Sequence, residues 1–431
     1  MDIPEIIASK IRRPVAVLGW GVSGKAVAAL LQELGATAVI YDERGGEGVV
    51  LQWDVATAKQ HDLVVYSPGF AQNHPWLLVA RRVGLLCVGE LDFAALLWKK
   101  PLVAVTGTNG KTTLTEFITF AHKRRGREAV SVGNIGYPLA RLFELEGARH
   151  PLPICEVSSF QAEDMRYFTP GVVLWTNFAE DHLDRHGDME TYFRAKYKLV
   201  ELVERQASRR LIVGESVVAA AGRLGIEMPA FTEVATRAEV EGKIPEGSVF
   251  SSFPQQENYA VARRYWEQEG LPMRALEEAA RMFSPARHRL QRVTEMGGVT
   301  YWNDSKGTNF HAALAALSAV RGPVHWIGGG KWKGGDLRAF GLELARRIRR
   351  AYLIGETGPE LHEVFLEQGV PSAVFKKLQD AVVAAQQNAD SGETVLFSPG
   401  FSSFDMFKNY ADRGLLFEQS VLALKNAAAA K

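Results

Sequence analysis

One stretch of the sequence predicts the fold of its central part: Leu102-Val-Ala-Val-Thr-Gly-Thr-Asn-Gly-Lys-Thr-Thr-Leu-Thr-Glu116. Its apolar start predicts a strand, and the spacing of apolar residues after Lys111 predicts a helix. Gly107 and Gly110 lie in the short loop between the two. A strand, a tight loop and a helix N-terminus leave backbone N–H groups pointing at an anion. The stretch therefore predicts a phosphate-binding loop in an α/β domain.

The same loop carries side chains that suit a nucleotide and its metal ion. The Lys111 ammonium can lie along the β- and γ-phosphates, and the Thr112 hydroxyl suits Mg²⁺. The loop is shorter than the usual P-loop pattern, because the position five before Gly110 is Val105 rather than glycine. A bare Gly-Lys-Thr sequence is more often structural, but the flanking strand and helix favour nucleotide binding. The predicted nucleotide-binding residues are Gly107, Thr108, Asn109, Gly110, Lys111, Thr112 and Thr113.

The composition limits the class of protein. A chain of 431 residues is long enough for two or three domains, each with its own core. Its 50 lysines and arginines nearly balance its 49 aspartates and glutamates, which argues against binding to nucleic acid or to a membrane surface. The sequence has no signal-peptide pattern and no apolar run long enough to cross a bilayer. We therefore expect a cytoplasmic protein, with Cys87 and Cys155 as buried thiols in a reducing compartment.

The N-terminal segment alternates short apolar runs with helical spacing, which predicts a parallel sheet covered on both faces. Its predicted strands are Val15–Gly19, Ala38–Asp42, Asp62–Ser67 and Leu85–Val88, with helices near Gly24–Leu34 and Pro75–Arg82. The first turn, Gly19-Trp-Gly-Val-Ser-Gly24, is a G-x-G-x-x-G motif between a strand and a helix. Asp42 ends the next strand, about 20 residues on, where an acid can bond a ribose hydroxyl. The pattern favours a nucleotide-type ligand over a mere tight turn. Together with Asp42 it also leaves an NAD-dependent oxidoreductase as an alternative.

Two boundaries give three predicted domains, residues 1–92, 93–284 and 285–431. The middle domain has predicted strands at Glu128–Val132, Ile154–Ser158, Val172–Asn177 and Leu211–Val213, and a helix over Met189–Glu204. Residues 215–257 mix glycine, glutamate, proline and serine with short apolar pieces and predict no clear element. The last domain alternates again, with predicted strands at Val299–Asn303, Val324–Ile327, Ala351–Ile354 and Thr394–Phe397. The predicted fold class is α/β in three domains.

Polar residues that suit metal or anion binding follow several of these strands. A carboxylate such as Glu156 at the carboxyl end of a parallel strand is well placed for Mg²⁺ beside a nucleotide. The segment Asn177-Phe-Ala-Glu-Asp-His-Leu-Asp184 joins oxygen ligands to one imidazole, or alternatively caps the next helix. In the last domain, Trp302–Asn309 carries an acid, a base and several amides. The glycine-rich loop Gly328–Asp336 is cationic and suits an anionic ligand as well as it suits a plain connector.

Several motifs together resemble the Mur ligase family. They are Thr106-Gly-Thr-Asn-Gly-Lys-Thr112, Gly133-Asn-Ile-Gly136, Glu156-Val-Ser-Ser-Phe-Gln161, Asp181-His-Leu-Asp184 and Asp304-Ser-Lys-Gly-Thr-Asn309, in order over nearly the whole chain. The Gly19–Gly24 motif, Ser67-Pro-Gly69 and the residues from Ser398 to Asn409 resemble the branch of the family that adds D-glutamate. The resemblance implies a Rossmann-like N-terminal domain, a central P-loop ATPase-type mononucleotide-binding domain and a C-terminal Rossmann-like α/β domain.

The resemblance also implies which ligands bind and where. ATP would contact the loop at 107–113, Asn258, Arg289 and Asp304. The family carries a His and a second Asn around this Asn, where the chain has Glu257 and Val261. The other substrates would be UDP-N-acetylmuramoyl-L-alanine and D-glutamate. Their implied contacts are Val22, Ser23, Asp42, Glu43, Arg44, Gly69, Asn134, Gln161, Lys306, Thr308, Lys333, Ser403, Phe404 and Tyr410.

Two Mg²⁺ ions are implied as well. Thr112 and Glu156 would bind one ion, and His182 and Lys196 the other. In this family the lysine is an N-carboxylysine, and a carbamate converts the side chain into a hard oxygen ligand. The implied catalytic residues are therefore Lys111, Glu156, His182 and Lys196.

The implied reaction is acyl activation followed by amide formation. The acceptor carboxylate would take the γ-phosphoryl group of ATP, and the amine of D-glutamate would then displace phosphate, with the last domain closing on ATP before chemistry. The implied protein is a monomer in the cytoplasm, part of peptidoglycan precursor synthesis. The alternatives are a sibling amino-acid ligase of the family, the NAD-dependent oxidoreductase and an inactive nucleotide-binding module. The oxidoreductase leaves Lys111, Glu156 and Asp304 unexplained, and the presence of each expected metal ligand argues against an inactive module.

Overall fold

The structure, a computed structural model, describes residues 2–144, 151–251 and 254–429. These residues form three separate sheets, each flanked by helices. The chain divides into two compact units: the first is Met1–Phe178, Glu190–Ser248 and Glu257–Phe283, and the second is Ala179–Met189, Val249–Gln256 and Ser284–Lys431. Within the described ranges, no helix combines the length and the apolar character needed to cross a membrane.

The N-terminal segment folds into a sheet with the strands β1 (Val15–Leu18), β2 (Ala38–Tyr41), β3 (Val49–Val50), β4 (Leu63–Tyr66) and β5 (Leu86–Gly89). All strands are parallel, in the order β3-β2-β1-β4-β5. The strand order reverses between β1 and β4, the place where open α/β sheets bind ligands. The helices of this segment are α1 (Glu5–Ala8), α2 (Val22–Glu33), α3 (Val55–Ala58), α4 (Pro75–Arg82) and α5 (Glu90–Leu97), with a 3₁₀ turn at Lys10–Arg12.

The middle segment forms a second parallel sheet in the first unit. Its strands are β6 (Val103–Thr106), β7 (Ala129–Gly133), β8 (Leu152–Glu156), β9 (Val172–Trp175), β10 (Leu211–Gly214) and β11 (Thr232–Ala235). Their order is β11-β10-β9-β6-β8-β7, so the phosphate-loop strand β6 is central, between β8 and β9. The helices are α6 (Lys111–Arg124), α7 (Ser159–Ala162), α8 (Leu183–His186, in the second unit), α9 (Met189–Glu204), α10 (Glu215–Arg223), α11 (Gln255–Gln268) and α12 (Met273–Met282). Short 3₁₀ turns cover Leu139–Glu144, Ala238–Val240 and Val249–Ser251.

The C-terminal segment forms the sheet of the second unit. Its strands are β12 (Gln291–Met296), β13 (Val299–Asn303), β14 (Val324–Gly328), β15 (Arg350–Ile354), β16 (Ser372–Phe375) and β17 (Thr394–Phe397). The order is β12-β13-β17-β14-β15-β16, and only the pair β12 and β13 is antiparallel among the described strands. The helices are α13 (Phe310–Ala319), α14 (Leu337–Ala345), α15 (Gly358–Glu367), α16 (Leu378–Asn388) and α17 (Tyr410–Ala429). Two apolar cores pack against the sheet, one around Trp326 and Phe340, the other around Tyr301 and Phe397.

Every strand predicted from an apolar run is present, with ends that differ by a residue or two. The structure adds β3, β12 and β16, which the sequence did not predict. Strand β12 lies at the sheet edge, is mostly polar and has no fully buried residue. Of the unassigned stretch 215–257, residues 252 and 253 lie outside the described residues, and the rest contains α10, β11, two 3₁₀ turns and the start of α11.

Candidate active site

The phosphate loop between β6 and α6 depends on its two glycines. Gly107 has φ +144° and Gly110 has φ +80°, both in the region that favours glycine. A Cβ on Gly107 would lie 1.9 Å from Thr176 Oγ1, and one on Gly110 would lie 2.4 Å from Asn258 Oδ1. The backbone therefore packs too closely for any other residue, and α6 begins directly at Lys111. This arrangement points the first N–H groups of a 14-residue helix into the loop.

Residues at the end of β9 hold the loop in shape. Asn177 Oδ1 accepts from Asn109 N at 2.9 Å, and Asn177 Nδ2 donates to Asn109 O at 3.1 Å. Thr176 Oγ1 donates to the same carbonyl at 2.6 Å, while Thr108 N donates to Asn177 O at 3.0 Å. The loop is thus fixed before any ligand binds. This role of Asn177 was not predicted from the sequence, although its position directly after a strand of the same sheet was the available signal.

Two lysine side chains meet at one backbone oxygen of the loop. Lys111 Nζ donates to Gly107 O and to Thr108 O, both at 2.9 Å. Lys196 Nζ, from α9, donates to Gly107 O at 2.8 Å and lies 4.9 Å from the centre of the Tyr192 ring. The Lys196 side chain is buried. The loop is therefore a strongly cationic site in which a polyphosphate would be stabilised.

The predicted carboxylate ligand lies at the end of β8 with one oxygen unused. Glu156 Oε1 accepts from Asn134 Nδ2 at 2.7 Å, whereas Glu156 Oε2 is buried and has no hydrogen-bond partner among the described residues. Gln161 is the third residue of α7 and completes a capping box with the N-cap Ser158: its Oε1 accepts from the N–H and the hydroxyl of Ser158. Its Nε2 is a second buried atom without a hydrogen-bond partner among the described residues. Buried polar groups are nearly always satisfied, so both atoms mark places for a ligand or an ion.

An open cleft lies at the carboxyl ends of β1, β2 and β4. The six residues predicted for the N-terminal ligand line it: Val22, Ser23, Asp42, Glu43, Arg44 and Gly69. Asp42 accepts from Trp20 N at 2.7 Å and from Arg44 N at 2.9 Å, and these bonds lower the pKa of its carboxyl. The carboxylate is therefore engaged in shaping the cleft. The structure adds Phe70 and His74 to its lining, which the sequence analysis did not predict.

In the second unit, Asp304 directly follows β13. Its Oδ1 accepts from Leu290 N at 3.0 Å and its Oδ2 accepts from Ser398 Oγ at 2.7 Å. Burial raises the pKa of Asp304 to about 6, against the lowering effect of those two bonds. His288 and Leu290 have φ of +66° and +44°, in the left-handed region of backbone conformation that residues other than glycine rarely adopt. The half-buried Arg289 lies between them. Such strain is typical of functional sites.

A second group of predicted residues lines a pocket in the same unit. Thr308 and Lys333 line it together with Glu180, Asp181, Asn309, Phe310, Gly334, Gly400 and Phe401. Burial alone would raise the pKa of Asp181, but the Lys333 ammonium and His182 outweigh it and lower that pKa to about 2. The backbone of His182 adopts the left-handed conformation, with φ +56°.

The other residues predicted for the amino acid do not line this pocket. Lys306 Nζ lies 3.7 Å from the centre of the Tyr410 ring, a cation–π contact. Ser403 is buried, and its carbonyl accepts from Met406 N and Phe407 N. Phe404 is 70 % exposed, which is unusual for an aromatic residue and leaves its ring available for a ligand.

Comparison with known proteins identifies the family. The model described as the Mur ligase middle domain matches residues 105–222, and the one described as the Mur ligase glutamate ligase domain matches residues 288–401. The UDP-N-acetylmuramoylalanine--D-glutamate ligase of Acidobacterium capsulatum is 32% identical, over 97% of this chain and 98% of that protein. The chain belongs to the Mur ligase family. The protein of the same name from Gloeobacter violaceus is 34% identical, over 95% of this chain and 99% of its own.

Solved structures of other Mur ligases share the fold. The UDP-N-acetylmuramate-alanine ligase of Thermotoga maritima aligns with a TM-score of 0.59 at 16% identity, covering 96% of this chain and all of that one. The MurF ligase of Thermotoga maritima, solved with ADP, aligns with a TM-score of 0.58 at 16% identity, over 95% of this chain and 96% of that one. The predicted three-domain α/β fold is therefore confirmed. The exact domain boundaries and the ligand contacts of single residues stay predictions.

This Mur ligase carries no group of three or more His, Cys, Asp or Glu side chains suited to a metal ion within residues 2–144, 151–251 and 254–429. Mg²⁺ is usually held in proteins by one or two carboxylates, with water and phosphate completing its octahedron. The unused oxygen of Glu156 is the observation in the structure that suits such an ion.

Proposed function

We propose that this Mur ligase uses ATP to join D-glutamate to UDP-N-acetylmuramoyl-L-alanine in peptidoglycan precursor synthesis. Relatives of that name align with it over nearly their whole length. The observation in the molecule that carries the proposal is the phosphate loop, where the N-terminus of α6 and the amine of Lys111 lie beside Gly107. Membership of the Mur ligase family argues against an NAD-dependent oxidoreductase. That alternative rested only on the Gly19–Gly24 motif and on Asp42.

The reaction proceeds in two steps. The alanyl carboxylate oxygen attacks the γ-phosphorus, the bond from phosphorus to ADP breaks, and an acyl phosphate forms. The amine of D-glutamate then attacks the acyl carbon, loses a proton, and phosphate leaves with the bonding electron pair. Lys111 and the N–H groups of the loop stabilise negative charge on the phosphoryl oxygens during the first step. Asn177 and Thr176 fix the loop backbone at Asn109, so little reorganisation of the loop is needed at that moment.

Thr112 and Glu156 are the proposed Mg²⁺ ligands of the first unit. When bound, Mg²⁺ neutralises phosphate charge and orients the γ-phosphoryl group. Glu156 Oε2 is free to accept a cation while Oε1 keeps its bond to Asn134, so Glu156 needs no rearrangement. Thr112 is buried in the first turn of α6, directly after Lys111. In the second unit, His182 stays a predicted metal ligand.

Lys196 is the proposed N-carboxylysine. A carbamate on Nζ leaves one N–H there, which can go on donating to Gly107 O, while the two new oxygens provide hard ligands for Mg²⁺. The side chain is buried against the Tyr192 ring, an environment that protects a carbamate from water. Modification would also replace a second ammonium beside Lys111 with a negative charge.

The remaining predicted residues divide between two ligands. We assign the UDP part of the acceptor to the cleft lined by Val22, Ser23 and the residues 42–44 that follow β2. The first residues of α2 line this cleft, so its N-terminal N–H groups suit the phosphates of UDP. Asn134 and Gln161 are proposed to contact the rest of the acceptor, and the pocket with Thr308 and Lys333 to bind D-glutamate. The proposed enzyme is a cytoplasmic monomer.

The proposal is tested by substrate-dependent release of ADP. The protein is incubated with ATP, Mg²⁺ and UDP-N-acetylmuramoyl-L-alanine, and D-glutamate, L-glutamate and L-alanine are compared as the amine. Release that requires both the acceptor and D-glutamate supports the proposal. Release with L-alanine and UDP-N-acetylmuramate instead would assign the chain to a sibling activity of the family.

A further inference from the structure

One carboxylate in the second unit is bonded on both of its oxygens within the proposed amino-acid pocket. Asp181 Oδ1 lies 2.5 Å from Lys333 Nζ, and Asp181 Oδ2 accepts from Asn309 Nδ2 at 2.9 Å. The Asp181 side chain is only 6% exposed, and that of Lys333 is 17% exposed. Solvent therefore screens this ion pair far less than a surface pair, and its geometry is well defined.

The backbone on both sides supports this contact. Lys333 O accepts from Asp184 N at 3.1 Å, so the segment that carries Asp181 also bonds to the backbone of Lys333. A Cβ on Gly334 would lie 3.0 Å from Leu183 Cβ, which shows how closely the loop at 333–335 approaches that segment. Gly334 and Gly335 have positive φ, which permits this close approach. The backbone therefore helps to hold Lys333 beside Asp181, in addition to the ion pair itself.

Asn309 is fixed independently of Asp181. It is the N-cap of α13, where its Oδ1 accepts from Ala312 N at 2.9 Å. Because this bond orients the amide group, Asn309 Nδ2 points at Asp181 and holds Asp181 Oδ2 in place. The other oxygen then faces Lys333. A rigid chain of bonds thus runs from the start of α13 through Asp181 to the lysine ammonium.

We propose that Asp181 is a positioning residue that holds the Lys333 ammonium in place for the carboxylate of the incoming amino acid; this inference rests on the proposed function of the pocket. A lysine ammonium has three N–H groups, so it can donate to a ligand while it remains bonded to Asp181. The flexible four-carbon stem of lysine loses considerable rotamer freedom when it binds a ligand. Because Asp181 has already fixed the stem, the ligand does not have to do so, and binding is stronger.

The opposite role would be competition, in which Asp181 occupies Lys333 and the ligand must displace it. The two roles predict opposite changes. Without the carboxylate, a positioned lysine binds the amino acid less well, whereas a released lysine binds it better. The Michaelis constant for D-glutamate therefore distinguishes them directly.

The test is a double-mutant cycle on the full-length enzyme with Asp181→Asn, Lys333→Ala and the double variant. We expect KM for D-glutamate to rise at least about tenfold in Asp181→Asn and more in Lys333→Ala, with no further rise in the double variant. KM values for ATP and for the UDP-linked acceptor should change less than about twofold. An effect of Asp181 that acted through the neighbouring His182 would persist in the Lys333→Ala background, which would overturn the inference.

Two further variants complete the experiment. Asp336→Asn removes the same charge three residues from Lys333 while an asparagine still caps α14, so its KM for D-glutamate should not change. Asn309→Ser keeps a helix cap but removes the amide that holds Asp181, so it should raise this KM even if Asp181→Asn does not fold. An unchanged or lower KM in Asp181→Asn contradicts the positioning role. If Lys333→Ala itself leaves KM for D-glutamate unchanged, the assignment of the pocket fails instead.

Discussion

Lys111 and Lys196 donate to the same backbone oxygen, Gly107 O, at 2.9 and 2.8 Å, so their nitrogens lie within about 6 Å of each other. Two ammonium groups this close repel each other, and a buried position screens them little. Either a bound polyphosphate or the conversion of Lys196 to a carbamate would turn the repulsion into attraction. The geometry therefore supports both proposed features of the loop for one electrostatic reason.

The carbamate is the first prediction. Protein equilibrated with ¹³C-bicarbonate should show a carbamate carbon by NMR, and Lys196→Arg should lose that signal because a guanidinium cannot be carbamylated in this way. Lys198→Arg is the matched control: its lysine lies on the same helix, pairs with Glu201 at 2.7 Å and should leave the signal unchanged. A spectrum without any carbamate signal in the unmodified protein would contradict the proposal.

Glu156→Gln tests the proposed Mg²⁺ ligand. The glutamine oxygen can still accept from Asn134, so the fold should be retained, but the charge on the unused oxygen is lost. We expect the Mg²⁺ concentration for half-maximal activity to rise about 10- to 100-fold. Glu128→Gln, which changes an exposed glutamate before β7, should not alter it. An unchanged requirement for Mg²⁺ in Glu156→Gln would exclude Glu156 as a ligand.

Asn177→Ala tests whether the loop must be held in shape. The substitution removes both side-chain hydrogen bonds to Asn109, so the N–H and the carbonyl of Asn109 are held less firmly. Each bond contributes about 1 kcal/mol, so KM for ATP should rise about tenfold or more, with little change in KM for D-glutamate. Asn388→Ala, which removes an exposed amide in the second unit, serves as control. Equal KM values for ATP in Asn177→Ala and the unmodified enzyme would show that the loop keeps its shape without these bonds.

The buried carboxyl of Asp304 predicts a dependence of stability on pH. Its pKa is about 6 in the folded protein and about 4 in the unfolded chain, so the folded state binds the proton more tightly. The stability contributed by this group therefore decreases as pH rises from about 4 to 6, and the charged form costs roughly 2 to 3 kcal/mol above that window. Asp304→Asn should raise Tm at pH 7.5 but not at pH 4, while it lowers activity with ATP.

Thermal unfolding at the two pH values, followed by circular dichroism, measures this effect. Asp412→Asn changes an exposed aspartate of α17 and should not raise Tm at pH 7.5. A lower Tm of Asp304→Asn at both pH values would show that the ionised carboxylate stabilises the folded protein, contrary to the prediction.

The features that sequence predicted well are local ones. The loop at 107–113 could be predicted because its strand, glycines and helix start are adjacent in the chain. Likewise, the residues of the N-terminal cleft follow consecutive strands of one parallel sheet, and parallel order brings their carboxyl ends together. Family resemblance added Lys196, which stands on a helix 85 positions after Lys111 and carries no local signal of its own.

Other features depend on contacts that spacing does not reveal. Asp181 and Lys333 are 152 positions apart, so their ion pair is a property of the tertiary structure. The sequence placed a carboxylate at the end of β8 but could not show that only one oxygen of Glu156 is engaged. Strand β12 was missed because an edge strand needs no continuous apolar run, and its polar sequence matches neither strand nor helix periodicity.

The measurement that tests the account most directly is the rate of ADP release by Lys111→Ala in the presence of D-glutamate and UDP-N-acetylmuramoyl-L-alanine. If the phosphates of ATP lie on the loop at 107–113, the loss of this ammonium should slow release about 100- to 1,000-fold. Lys123→Ala, which changes an exposed lysine in the last turn of α6, should release ADP at the unmodified rate. Release at full rate by Lys111→Ala would contradict the proposed position of ATP, and with it the account of the loop.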